Sequence, residues 1–277
     1  MQTDLKDKTV MITGGTGSFG NKCVEVLLKN NPPQKLIIFE HFLLKYPCNP
    51  VGNPHVYEYQ DFRFTFRWFK HIYLLGLMDR ILRPKLEPSF VTLDVGSSYG
   101  IFSSLVKQEW PGSHHVLVDF PEQLLLAYYF LNATFPNAKI AGSAEVLKKR
   151  TISRAFIEDH DFTLIPISQY PKIEVGGVDL ITNFASFGET DRKWFDYYLN
   201  AKLFASASYF FVANRVQSYP HYDTDITIQD YPVWDRSKTL HFGVSPAFGG
   251  YSQYRRKNLF FNERVAYPPY FEYIGKI

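Results

Sequence analysis

Apolar and polar positions fall into two kinds of block along this chain. Short runs of apolar, β-prone residues stop abruptly at polar or glycine-rich turns: Phe90 to Val95, Val116 to Asp119, Phe162 to Pro166, Val178 to Ile181 and Ser208 to Val212. These read as buried strands, with a shorter one over Asn137 to Ala141. Between them the apolar residues recur at helical spacing. Phe62, Phe66, Phe69, Tyr73 and Leu77 predict a helix between Asp61 and Leu86, stopped by Pro84 and Pro88. Ile101, Leu105 and Val106 predict a second, ending near Pro111-Gly112. Further helices are expected over 123–134, with Pro121 in the first turn, over the polar stretch 143–158, and over 191–202. Strands that alternate with helices predict an α/β domain whose sheet carries helices on both faces.

The most informative turn lies at residues 90–100, where Gly96 and Gly100 permit backbone turns and a close approach that side chains would block. A strand, a glycine turn, a helix and a second strand ending in Asp119 follow one another in the order of a nucleotide-binding βαβ unit. Asp119 stands close to the spacing at which an acid meets ribose hydroxyls. With Asp94 ahead of Gly96, the pattern D-x-G-x-x-x-G resembles the first motif of Rossmann-like S-adenosylmethionine (SAM) methyltransferases. That resemblance implies SAM as cofactor, with Asp94, Gly96, Ser97 and Gly100 around its amino-acid part and Asp119, with the neighbouring Phe120, at its nucleoside. Ser98 stands where the family usually has a middle glycine.

A second glycine motif, Gly14 to Gly20, lies between an apolar run from Thr9 and a strand at Lys35 to Phe39. The stretch LKDKTVMITGGTGSFGNKCVEVLLKNNPPQKLIIF resembles the start of nucleotide-sugar 4,6-dehydratases of the extended short-chain dehydrogenase family, whose glycines bind the pyrophosphate of NAD(P). The resemblance stops at Phe39. Ser186, Tyr198 and Lys202 have about the spacing of that family's catalytic Ser and Tyr-x-x-x-Lys, but they lie too far from Gly14 for it. An isolated βαβ unit also lacks the sheet crevice in which a dinucleotide binds. Residues 1–40 are therefore expected to be a partial, dehydratase-like appendage, able to dock to polysaccharide enzymes. The Pro- and Gly-containing stretch 41–60 is expected as a linker, and 61–277 as the catalytic domain.

The segments DFTLIP, VDLITNFASFGE, YFFVANR and YFEYIG, taken together from about Thr65 to the end, resemble a family described as sugar O-methyltransferases of bacterial surface-polysaccharide gene clusters. This implies methyl transfer from SAM to the hydroxyl of a sugar or nucleotide sugar. Strand ends in such sheets face the ligand, so Asn183 is expected at the cofactor and Ser186, Asn214 and Arg215 at the acceptor. Arg215 is suited to a forked grip on phosphate or carboxylate. Proton removal from a hydroxyl calls for a His, Glu or Asp. Among His221, His241, Glu189 and Asp191, the catalytic candidates are His241, in the segment Leu240 to Ser245, and Glu189. Asp223 and Asp225 have no further ligand at metal spacing, and no metal is expected.

The net charge of +3 is small and evenly spread, which argues against a nucleic-acid partner. Two cysteines, Cys23 and Cys48, provide no disulfide framework. No run approaches the roughly 20 apolar residues of a spanning helix, and the amino end lacks a signal-peptide core, so a cytoplasmic location is expected. The aromatic content of 17% is concentrated towards the carboxyl end, where rings can fill a core or stack on a sugar. Two other readings are a nucleotide-sugar oxidoreductase using Gly14, Gly17 and Gly20, and a non-catalytic scaffold.

Overall fold

The computed structural model describes residue 42 and residues 45–59, 62–219, 224–248, 251–256 and 262–277. The glycine motif and βαβ unit expected before residue 40, together with His221 and Asp223, lie outside the described residues. Two short strands, β1 (Tyr57–Tyr59) and β2 (Phe62–Phe64), form an antiparallel pair. The main sheet is built from β3 (Val91–Val95), β4 (His114–Asp119), β5 (Ile140–Ala141), β6 (Phe162–Pro166), β7 (Leu180–Phe184), β8 (Tyr209–Arg215) and β9 (Thr239–Val244), with the final strand of the chain. Strands β10 (Tyr251–Arg256) and β11 (Asn262–Tyr267) pair as a hairpin, and β12 (Tyr270–Lys276) returns to the sheet. The eight-stranded order is β5-β6-β4-β3-β7-β8-β12-β9. All pairs from β5 to β8 are parallel, whereas β12 lies antiparallel between β8 and β9.

The alternation of side chains along each strand feeds two cores. Val91, Leu93 and Val95 face one side, against Val146, Ile157, Phe195 and Tyr198. Those residues come from α4 (Ser143–Leu147), α5 (Arg154–Glu158) and α6 (Arg192–Asn200), with α7 (Lys202–Ser206) beside them. Leu117, Leu164, Phe211 and Ile274 face the opposite side. There they meet α1 (Phe66–Leu82), α2 (Ile101–Glu109) and α3 (Pro121–Thr134). Both faces of β3 are therefore covered: Val91, Leu93 and Val95 fill one core, while Thr92 and Asp94 on the other face are buried and hydrogen-bonded to His115 and Thr182.

Helix α1 begins at Thr65, whose side chain accepts a hydrogen bond from the Trp68 amide at 3.0 Å, and ends before Pro84. The helix expected from Asp61 is shorter, because Phe62 to Phe64 are drawn into β2. The polar helix expected over 143–158 is two short helices, interrupted where Ile152 bridges to Ile173. The strand expected at 178–181 runs later, through Leu180–Phe184. The expected linker also behaves differently. Phe42 and Tyr46 are buried against α1 and α2, and the Tyr46 carbonyl accepts from Trp68 Nε1 at 3.1 Å. Asn49 Nδ2 donates to Thr134 Oγ1 at 2.8 Å, so Phe42, Tyr46 and Asn49 are packed on the domain. Among the described residues no helix is long and apolar enough to cross a membrane.

Candidate active site

The strand order reverses at β3, with β4 on one side and β7 on the other, and the crevice at their carboxyl ends is the ligand position such sheets offer. The turn out of β3 is tight. Gly96, Ser98 and Gly100 have φ of 73°, 53° and 84°. The amide of Gly96 donates to the Val118 carbonyl at 2.8 Å, which ties the turn to the end of β4. Ser98, in the position the related motif gives to glycine, still takes the left-handed conformation. It is held there by its amide, which donates to Asp119 Oδ2 at 2.7 Å. Asp119 Oδ1 accepts from the Phe120 amide at 2.7 Å. One carboxylate thus fixes the two chain segments that wall the crevice, and each oxygen keeps a lone pair for a further donor. Burial raises the Asp119 pKa above its ordinary value, opposed by these two amides.

Asp94, nearly fully buried, lies opposite Thr182 of β7, whose hydroxyl donates to Asp94 Oδ1 at 2.8 Å. Burial, together with the nearby Asp119, pushes its carboxyl up to about 7. Between its ordinary 3.8 and this value the folded protein holds a proton that the unfolded chain has released, so Asp94 makes the parent less stable as pH rises through that window. Asp94→Asn, which cannot ionise, is expected to gain stability over the parent by about 2 kcal/mol between pH 5 and pH 8. Denaturant melts across that range check this; a constant difference between the two proteins would reject it.

The next strand locks the turn from the other side. Asn183, fully buried, donates from Nδ2 to the Val95 carbonyl at 2.6 Å and accepts at Oδ1 from the Phe187 amide at 3.1 Å. Asn214 Nδ2 donates to the same oxygen at 2.7 Å. Asn214 is fully buried, so its described contact with the site runs through Asn183. Ser186 lies against Gly96 so closely that a methyl group added there would stand 2.1 Å from Ser186 Oγ. Ser97 Oγ is buried in the turn with no hydrogen-bond partner. The ring of Phe120, 59% exposed, stands at the rim. Asp94, Gly96, Ser97, Gly100, Asp119, Phe120, Asn183 and Ser186 therefore converge on one crevice.

The residues expected at the acceptor separate into two groups. Arg215, at the end of β8, donates from Nη1 to Glu189 Oε1 at 2.6 Å, and its guanidinium lies over the rings of Tyr219 and Tyr270 at 3.9 and 5.2 Å. His241 is elsewhere. It sits on β9, four strand spacings from β3, or about 19 Å across the sheet. Its Nε2 lies 2.9 Å from Oε1 of the buried Glu272, which also accepts from the Tyr73 hydroxyl at 2.6 Å. The structure does not bring His241 to the glycine turn. Tyr198 packs edge-on against Tyr170 with centroids 4.8 Å apart, and burial raises its pKa, the opposite of what a tyrosine acid–base catalyst needs. Asp225 faces Arg192 at 3.5 Å.

Three residues on α1 escape a reading based on strand ends. Arg67, Lys70 and His71 share one helix face by their spacing, and Arg67 reaches the glycine turn. Arg67 Nη1 lies 3.3 Å from Ser98 Oγ, and its guanidinium is 5.6 Å from the Tyr99 ring centre. His71 stands 6.4 Å, centroid to centroid, from Phe102, which in turn packs on Phe184 at 4.7 Å. Its Nδ1 is 2.7 Å from the Arg67 carbonyl, which can only accept, so Nδ1 carries the proton and Nε2 the lone pair. Burial pushes its pKa down to about 4, which keeps the ring neutral at physiological pH.

A central sheet that is parallel from β5 to β8, takes β12 antiparallel between β8 and β9, and has a glycine turn after its central strand is a Rossmann-like α/β sheet. A family model described as polysaccharide biosynthesis protein matches residues 10–46. No curated protein matches the chain. Among solved structures it is similar to precorrin-6y C5,15-methyltransferase from Geobacter metallireducens, with 8% identity over 70% of this chain and 84% of that one and a TM-score of 0.40. It is similar to TrmK of M. capricolum, in complex with S-adenosyl-homocysteine, with 10% identity over 77% and 68% and a TM-score of 0.37. Mitomycin 7-O-methyltransferase MmcR gives 12% identity over 76% and 57%, with a TM-score of 0.38.

Proposed function

We propose that this protein is a SAM-dependent O-methyltransferase acting on a sugar hydroxyl in surface-polysaccharide biosynthesis. The observation that carries the reading is the pairing of the Gly96–Gly100 turn with Asp119 through the Ser98 amide, at the point where the strand order reverses. The site suits the cofactor chemically. Asp119 offers acceptors to ribose hydroxyls, Gly96 permits close approach to the amino-acid part, and Ser97 Oγ is a buried hydroxyl without a partner. Phe120 offers an exposed ring face at the rim. Polysaccharide chemistry is supported by the match at residues 10–46 and by the resemblance from Thr65 onward.

SAM, when bound, supplies a methyl group already activated on a sulfonium, which leaves the chain to orient the acceptor and take its proton. Of the candidate bases, Glu189 is engaged with Arg215 and His241 with Glu272. His71 has its lone pair at Nε2 and in this reading it accepts the hydroxyl proton, as a weaker base than a free imidazole because burial lowers its pKa. His71→Gln is expected to lower kcat by about 10²–10⁴-fold while leaving S-adenosylhomocysteine affinity unchanged. Unchanged kcat would return the role to Glu189.

Calorimetric titration of the full chain with SAM and with NADP tests the function. Saturable SAM binding is expected; NADP binding with none for SAM would favour the oxidoreductase reading. Truncation before Phe42 keeps Phe42 and Tyr46 in the core and is expected to preserve SAM affinity. An acceptor panel of sugars and nucleotide sugars, read by mass for one added methylene, then tests the substrate class.

A further inference from the structure

A strip of cations and rings runs along the carboxyl edge of the sheet, away from the glycine turn. Arg67 begins it at Ser98. Lys70, one helical turn on, places its ammonium 4.8 Å from the ring centre of Phe248. Phe248 stacks on Tyr270 with centroids 5.0 Å apart and planes at 22°. Tyr270, the first residue of β12, is the register partner of Arg215, whose guanidinium lies over it. Arg67 and Lys70 are one helical turn apart on α1, and from Lys70 the contacts run through Phe248 and Tyr270 to Arg215.

Its charge is uneven. Glu189 pairs with Arg215, but no carboxylate of the described residues lies within ion-pair distance of Arg67 or Lys70. Lys70 is half-buried, and its pKa is lowered by that burial and by the neighbouring Arg67 and Arg215. Holding an ammonium partly out of water among like charges is unfavourable without a counter-charge. Phe248 and Tyr270 are themselves buried and stacked on each other, so they hold Lys70 and Arg215 in place, and the charge of this cluster is what a ligand would meet.

We infer that Lys70, with Arg67 and Arg215, holds an anionic group of the acceptor, a phosphate or a carboxylate. The inference rests on the proposed sugar methyl transfer for its place in the reaction. The capture of the anion is nonetheless measurable without the cofactor. The acceptor is then a charged sugar, either linked to phosphate or carrying its own carboxylate, and neutral sugars bind poorly.

The test uses the full chain, titrated calorimetrically with inorganic pyrophosphate, glucuronate and glucose, with and without saturating S-adenosylhomocysteine. Pyrophosphate or glucuronate is expected to bind at least about tenfold more tightly than glucose, the stronger of the two naming the source of the charge. Lys70→Met keeps much of the apolar stem and is expected to lose about tenfold in anion affinity, with S-adenosylhomocysteine binding unchanged. Lys70→Arg, which keeps the charge, is expected to restore most of it and guards against misfolding of the first variant. Equal affinity for all three probes, or anion binding by Lys70→Met as tight as the parent's, overturns the inference. Failure of S-adenosylhomocysteine to bind the parent overturns the methyltransferase reading instead, while the anion titrations still decide the role of Lys70.

Discussion

Asp119→Ala is expected to weaken binding of S-adenosylhomocysteine by about a hundredfold, or close to 3 kcal/mol. Hydrogen bonds to a charged group contribute about 1.5–3 kcal/mol, and here the carboxylate has two tasks. It is placed to accept from the ribose hydroxyls, and it already accepts the amides of Ser98 and Phe120. Removing it also frees Ser98 from the left-handed conformation that shapes the turn. From sequence alone, Asp119→Asn would be the gentler change, since an amide oxygen still accepts. The structure predicts otherwise. Both carboxylate oxygens meet amide donors, so an asparagine NH2 must face one N–H or turn the side chain away, and its loss is expected to approach that of alanine. Calorimetric titration of the three proteins decides: affinity equal to the parent's in Asp119→Ala would remove the cofactor from this crevice.

Gly96→Ala is expected to cost stability and cofactor binding together. The added methyl would stand 2.1 Å from Ser186 Oγ and 2.6 Å from Ser186 Cβ, and φ is 73°. The hydroxyl can rotate, but Cβ cannot move without its backbone. That backbone is held by the Glu189 amide, which donates to the Ser186 carbonyl at 2.9 Å. The left-handed conformation costs about 1–2 kcal/mol for a residue with a Cβ, and overpacking typically adds about 1–3 kcal/mol. Gly176 provides the control, since it has φ of 79° and nothing within 4 Å of an added methyl. Gly176→Ala should lose only the conformational part and keep cofactor affinity. Denaturant melts of both variants isolate the Ser186 contact. Equal losses, with Gly96→Ala still binding S-adenosylhomocysteine, would show that the close approach of β7 to the turn is dispensable.

Much of this protein is determined locally and was legible in the chain. Phe90 to Val95 and Val116 to Asp119 read as strands because short runs rich in β-prone apolar residues stop at a glycine turn or an acid. Gly96 and Gly100 marked the turn because their positive φ suits a residue without a Cβ. Asp119 was legible because a strand end followed by proline in a first helical turn fixes its position to within a residue. Tertiary structure decided what depends on which strands become neighbours. Insertion of β12 between β8 and β9 carried His241 to the edge of the sheet, against Glu272, although its sequence position after the core suggested a return over the site. Packing of α1 on α2 brought Arg67 to the glycine turn and His71 to Phe102 from a helix that periodicity describes only as a core element. The burial of Asn214, Asn183 and Asp94 in one hydrogen-bonded layer joins residues far apart in the chain. Periodicity reports which face of an element is buried; the partner it meets there is set by strand order.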